Sequence, residues 1–257
     1  MNSFYLKAKS VICFLIASSV LSSNANQVNR DIASESPTGL ATQQINPDIP
    51  LFDEDSFTTS TIFIVTSNFM SRGISASLNQ PAVQGMLSLS HKSGISAGTF
   101  LSSHNSVVGG GQSDLYLSYA QQVGGIYFVL TEFWYSFPNM PTINATDTLL
   151  SAYFNSYKIQ ASYMPSYFGA KSIATYIAIA KETKLTKKHN LNVNFGYSDF
   201  QKPDNVGFKN YYDYKFGVTT AIDHGNFEFF WSDTNRQDLN NNKINDATSG
   251  VAITLSY

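Results

Sequence analysis

Acyl-transfer chemistry by a serine needs a histidine within hydrogen-bond reach of the hydroxyl and a third group that holds the imidazole. The chain has four histidines, His91, His104, His189 and His224, scattered over separate turns and loops. Only His104, in His104-Asn105-Ser106, stands beside a loop serine, and in a chain this rich in serine such a neighbour arises by chance. No catalytic residue is assigned. Metal chemistry is as thinly supplied. Asp238-Leu239-Asn240-Asn241-Asn242-Lys243 opens as a calcium loop would, but Lys243 stands where glycine is required and Ser249 where a bidentate glutamate is required. It reads as a solvated loop, and neither a metal nor a cofactor is expected.

A different chemistry is open to charged groups held in a ring around water. Asp114, Glu132, Glu182, Asp213, Lys215 and Glu228 each fall in a segment of alternating residues, and each is placed on the row opposite the greasier one. Acids outnumber bases in this set, so a passage lined by it attracts cations weakly. Equally, Lys215 and Glu228 can pair with each other across neighbouring strands, which removes that bias. Arg72-Gly73 follows the first segment, where an outer rim is expected. Gly73 permits a turn with positive φ. Arg72 either attracts an anion such as a lipopolysaccharide phosphate or staples the loop by bonding carbonyls, the commoner use of a guanidinium.

The elements that must position these residues are short strands. Apolar and polar residues alternate through 191–198, where Leu191, Val193, Phe195 and Tyr197 oppose Asn192, Asn194 and Gly196. In the same way Tyr212, Tyr214, Phe216 and Val218 oppose Tyr211, Asp213, Lys215 and Gly217. Counting such segments from residue 58 onward gives about twelve, an even number as single-chain bacterial barrels have. The connections alternate too. Short ones at 92–94, 122–125, 155–158, 184–190 and 223–226 alternate with longer polar ones at 70–81, 104–113, 136–147, 199–210 and 233–246, with 164–171 the shortest of these. Short periplasmic turns and longer extracellular loops make that rhythm, for which a soluble sandwich has no reason. Phe69, Phe133, Tyr135, Tyr197, Tyr212, Tyr214, Phe229 and Trp231 lie near strand ends, as two interfacial girdles require. The last segment sets Val251, Ile253, Leu255 and Tyr257 in one greasy row ending at the C-terminus, the form of a strand that closes a barrel against lipid.

Composition agrees. Of 257 residues only 13% are charged while 14% are aromatic, against roughly 25% charged in an average soluble domain. Residues 1–25 read as a signal peptide, with Lys7 and Lys9, an apolar stretch from Val11 to Leu21 and Ser23-Asn24-Ala25 as a small-x-small cleavage site. Its removal takes away Cys13, the one cysteine, and lowers the basic residues from 16 to 14 against 18 acids, a formal charge of −4. Disulfides and thiolate metal sites are thereby excluded from the mature chain, and a nucleic-acid partner is disfavoured. Residues 26–56, rich in Ser, Thr, Asn, Gln and Pro without apolar period, read as a flexible periplasmic lead-in. Residues 57–257 form the expected domain, an all-β transmembrane antiparallel β-barrel.

One stretch carries a family resemblance. Ser67-Asn68-Phe69-Met70-Ser71-Arg72-Gly73-Ile74-Ser75, then Pro81-Ala82-Val83-Gln84-Gly85, then Ser93-Gly94-Ile95-Ser96-Ala97-Gly98-Thr99 resembles the TorF family of porins, also known as Gcw_chp. The similarity continues more loosely through Asp114-Leu115-Tyr116 and Trp134-Tyr135-Ser136-Phe137-Pro138 to the last strand. It implies a signal peptide, an outer-membrane barrel and a channel role, with no solute carried over. The longer Ser/Asn-rich lead-in and a plainer final strand depart from the pattern.

The expectation is therefore an outer-membrane porin-like channel passing small solutes or ions passively. The alternatives are a non-conducting barrel with a surface-binding or scaffolding role and, further off, a lipid hydrolase. Expected partners are outer-membrane lipid and lipopolysaccharide, the barrel-assembly machinery through the C-terminal strand, and small solutes.

Overall fold

The computed structural model describes residues 57–103 and 110–257. The signal peptide, the lead-in and His104-Asn105-Ser106 lie outside them. Twelve long strands form one closed antiparallel barrel. They are β1 (Phe57–Thr66), β4 (Ala82–His91), β5 (Ile95–Ser103), β6 (Gly111–Val123), β7 (Ile126–Ser136), β8 (Ala145–Phe154), β9 (Tyr157–Met164), β10 (Ala174–Lys184), β11 (His189–Phe200), β12 (Tyr211–Ile222), β13 (Gly225–Thr234) and β14 (Thr248–Ser256). Two further strands, β2 (Met70–Ser71) and β3 (Ile74–Ser75), make a small hairpin between β1 and β4.

Each barrel strand pairs with its sequence neighbour, and β1 pairs with both β4 and β14. The seam runs from Ile62↔Ser256 to Thr66↔Ala252. It is prolonged by two bonds at the chain end, Thr61 N–H to the Tyr257 carbonyl (2.8 Å) and Tyr257 N–H to the Thr61 carbonyl (2.9 Å). Among the described residues the barrel sheet has no open edge to recruit another strand. The two rims differ as expected. Tight turns such as Asn155-Ser156 and Asp223-His224, with positive φ at Asn155 and His224, join the strands at one rim. Longer connections carrying short helical turns at Pro141–Ile143, Tyr167–Gly169 and Pro203–Val206 cover the other.

Register fixes which residues face out. Phe63, Val65, Leu87, Leu101, Leu115, Leu117, Ile177, Ile179, Phe195, Phe216, Phe229 and Val251 are exposed on the outer surface, strand after strand. Val251, Ile253 and Tyr257 extend this band to the closing strand. The aromatic set divides. Tyr212 and Trp231 are exposed and the Tyr197 ring lies tilted against Tyr212 on the outside, with ring centroids 4.7 Å apart. Phe69, Phe133 and Tyr135, expected in the girdles, are instead buried inside the barrel. Phe133 and Tyr135 sit near the end of β7, which carries large apolar residues on both faces, so position along the strand did not reveal which face they take, and Phe69 lies in the connection after β1, which folds inward.

Closure at β14 makes a simple prediction. Deleting residues 249–257 leaves β1 and β13 with unpaired edges. The full chain is expected to show a heat-modifiable folded band in detergent gels, and the truncated chain to lack it.

Candidate functional site

The barrel interior is part filled and part hollow. Inward residues including Ile62, Ile64, Met86, Phe100, Tyr116, Phe133 and Leu149 form an apolar core weighted toward β1 and β4 to β8, interleaved there with buried polar side chains such as Gln84, Ser88, Gln112, Asp114 and Asp147. The other side, β9 to β14, presents Lys158, Gln160, Tyr176, Asn192, Asn194, Asp213, Lys215, Thr219, Glu228 and Thr254. A cavity of about 470 Å³ lies against this polar wall. It reaches from the tight turn at Asn155 and Ser156 to the underside of Arg72 and Gly73.

The ceiling is the first long loop, folded inward. Phe69 packs on Phe100, with ring centroids 6.2 Å apart, and anchors the hairpin to the apolar core. Arg72 then crosses to the far wall. Its Nη2 donates to Asp147 Oδ2 at 2.6 Å and to Ser162 Oγ at 2.8 Å, and Nη1 approaches Met164 Sδ at 3.6 Å. The guanidinium lies 4.9 Å from the Tyr176 ring centroid. Asp147 is satisfied from two more sides, by the hydroxyls of Tyr135 (3.1 Å) and Ser162 (2.5 Å). Tyr211 donates to the Arg72 carbonyl at 3.1 Å. One arginine thus ties a loop from the β1 end to β7, β8, β9, β10 and β12. Gly73, at φ +78°, completes the turn: a Cβ there would stand 2.5 Å from Asp213 Cβ and 2.6 Å from Thr234 Cγ2. Only glycine fits both the conformation and the space.

This settles the two uses of Arg72 in favour of the staple. The residue is buried inside the barrel rather than displayed on a rim, and its charge is spent on Asp147. It is not presented to a headgroup phosphate.

The six charged residues expected around a passage take different places. Glu182, Asp213, Lys215 and Glu228 do line the cavity. Lys215 Nζ bonds Glu228 Oε2 at 2.9 Å, so these two offset each other. Asp213 accepts from the hydroxyl of Tyr176 and from Asn194, and Glu182 accepts from Asn190 Nδ2 at 3.2 Å. Asp114 points inward but is fully buried away from the cavity, bonded by Gln112 and by the Ser136 amide. Glu132 is a correction. It lies on the outer face between Leu130 and Trp134, where Thr148 of β8 donates to it at 2.6 Å. Both rows of β7 are greasy, so the rule of opposing the greasier row failed there.

Lys158, Gln160, Ser162 and Asp147 went unselected by sequence reasoning. The alternation Lys158, Gln160, Ser162 against Ile159, Ala161, Tyr163 was the available signal. It was lost because the strand was begun at 159 and the loop before β8 was extended through 147. With Lys158 and Lys184 on the inside and Glu132 outside, the cavity wall has no acidic excess.

At the long-loop rim Arg236 forms a two-pronged pair with Asp246, Nε to Oδ2 at 2.8 Å and Nη2 to Oδ1 at 2.5 Å, and lies over Phe208. The Asp238 carboxylate is consumed by its own turn, accepting from the amides of Asn240 and Asn242 and from Asn242 Nδ2. Those bonds, the Asn242 side chain first, hold Asp238 below the usual carboxylate range.

Residues 53–255 match the family described as "Bacterial protein of unknown function (Gcw_chp)". The chain belongs to that family. Among solved structures the fold is similar to the KdgM porin, with TM-score 0.51, 9% identity, and 77% of this chain matched to 98% of that one. The NanC porin superposes with TM-score 0.48 at 8% identity over 78% of this chain and 99% of that one. The COG4313 outer membrane channel from Pseudomonas putida F1 gives 0.40 at 8% identity over 83% and 100%. At such identities the likeness is one of fold. A search of the curated proteins finds no match for this sequence.

Removing one partner of a buried pair costs about 3–5 kcal/mol, because the other charge is left without compensation. Arg72→Ala is therefore expected to lower the denaturation midpoint sharply, and adding Asp147→Asn to restore part of the loss. Gly73→Ala forces a left-handed conformation costing roughly 1–2 kcal/mol before any displacement of Asp213 or Thr234, and is expected to reduce the folded yield.

Proposed function

We propose that this Gcw_chp protein is an outer-membrane porin-like channel of the TorF kind, passing small solutes or ions without a chemical step. One observation carries the reading: a closed barrel with a continuous apolar band outside encloses a polar cavity. An exposed apolar band of that extent is unstable in water, and a sheet can cross hydrocarbon only when its edges are joined. Membrane lipid and lipopolysaccharide then flank the band, and the barrel-assembly machinery engages the chain through β14. The porin named above shares the fold and lends support at that level.

Passage follows the cavity along β9 to β14, since the rest of the interior is filled. The Arg72 hairpin narrows it, and conductance is expected to be small. The weak cation preference anticipated from acidic residues loses its basis once Glu132 faces outward and Lys215 holds Glu228. No cation preference is proposed.

Planar-bilayer recording tests this. Small steps are expected, with a reversal potential in a salt gradient near zero or displaced toward anions. Glu228→Gln frees Lys215 and is expected to shift it further toward anions, while Glu132→Gln leaves it unchanged. Arg72→Ala with Asp147→Asn is expected to enlarge the steps. Absence of any conductance from folded protein, in the wild type and in this double variant, overturns the channel reading.

A further inference from the structure

We propose that the polar half of the cavity contains a binding site for a small oxyanion, in which Lys158 supplies the counter-charge and Gln160 a second donor. Lys158 faces inward from β9 with only 4% of its surface exposed, yet no carboxylate meets it. Among the described residues the ion pairs are Arg72 with Asp147, Lys215 with Glu228, Arg236 with Asp246 and Lys243 with Asp233. Its cross-strand neighbours are Tyr153 and Ala180, and its Nζ lies 5.7 Å from the centroid of the Tyr153 ring. Lys158 borders the cavity, so an anion entering there meets an amine that no carboxylate occupies.

Gln160 makes the same point independently. It is 5% exposed, lies two residues along the same face, about 7 Å from Lys158 by strand geometry, and its Nε2 has no hydrogen-bond partner. Both side chains line the 470 Å³ cavity, which is large enough for a small solute. The acids on that wall do not compete for Lys158. Glu228 is held by Lys215, Glu182 accepts from Asn190, and Asp213 stands three strands away around the barrel. A buried lysine and an amide donor side by side suit a carboxylate or a phosphate, which accept from both. Occupation of the site requires no transit, so it goes beyond the channel reading.

The test is calorimetric titration of the folded, full-length protein in detergent at constant ionic strength, with inorganic phosphate and separately with acetate. At least one is expected to saturate at one per chain, and which one saturates assigns the oxyanion. Lys158→Met is expected to weaken that binding at least ten-fold and Gln160→Leu a few-fold. Lys187→Gln, on the exposed turn between β10 and β11, is expected to change it less than two-fold. Removing an unpaired buried charge leaves the barrel intact, which the heat-modifiable band verifies. Lack of saturable binding by both anions, or Lys158→Met binding as tightly as wild type, overturns the proposal. Binding without conductance defeats the channel reading alone; conductance without binding defeats the site alone.

Discussion

Everything in this structure depends on β1 having two partners. Its backbone pairs with β4 on one side and with β14 on the other, so the first and last strands of the described chain are neighbours and every strand has both sides satisfied. A sheet with open edges could not carry so apolar an outer surface, because exposed amides and exposed hydrocarbon would both seek another chain. Once closed, the sheet has only an inside and an outside, and alternation along each strand assigns residues to one or the other. The final Tyr257 participates directly through its backbone.

Closure also creates an interior that the chain must fill or line. Here the filling is heavier on one side. Toward β1 and β4 to β8 the interior is packed with Ile, Met, Phe and Tyr, against which Phe69 lodges, together with buried polar residues such as Gln84, Gln112 and Asp114. Toward β9 to β14 polar side chains border most of the cavity. Arg72 joins the two sides. It costs about several kcal/mol to bury a guanidinium, and that is offset only because Asp147, Ser162 and the Tyr176 ring are already in place to receive it. The hairpin is therefore part of the barrel's internal structure rather than an outside loop that has drifted inward.

Much of the fold was legible. Strand number, alternation of short and long connections, and the outward row of β11, β12 and β14 follow from period-two patterning, because a residue on a two-sided sheet declares its face by its polarity. Legibility failed where that contrast vanished. On β7 both rows are large and apolar, so Glu132 was assigned to the wrong side and Phe133 and Tyr135 to the girdle. It failed also at strand ends. Lys158 and Asp147, taken as turn and loop residues, belong to strands whose pairing extends them.

What the sequence determined by itself was a topology. Strand-period alternation, low charge and a greasy terminal strand admit one economical arrangement, a sheet that closes on itself. The tertiary structure alone decided the contents of the lumen. Whether Arg72 reaches outward or inward depends on Asp147, 75 residues away, and on Ser162, 90 residues away. Whether Glu228 attracts cations depends on Lys215 one strand over, and whether Lys158 has a counter-charge depends on its neighbours on β8 and β10. Charge in a barrel is set by who stands across the gap, and that distance exists only after closure.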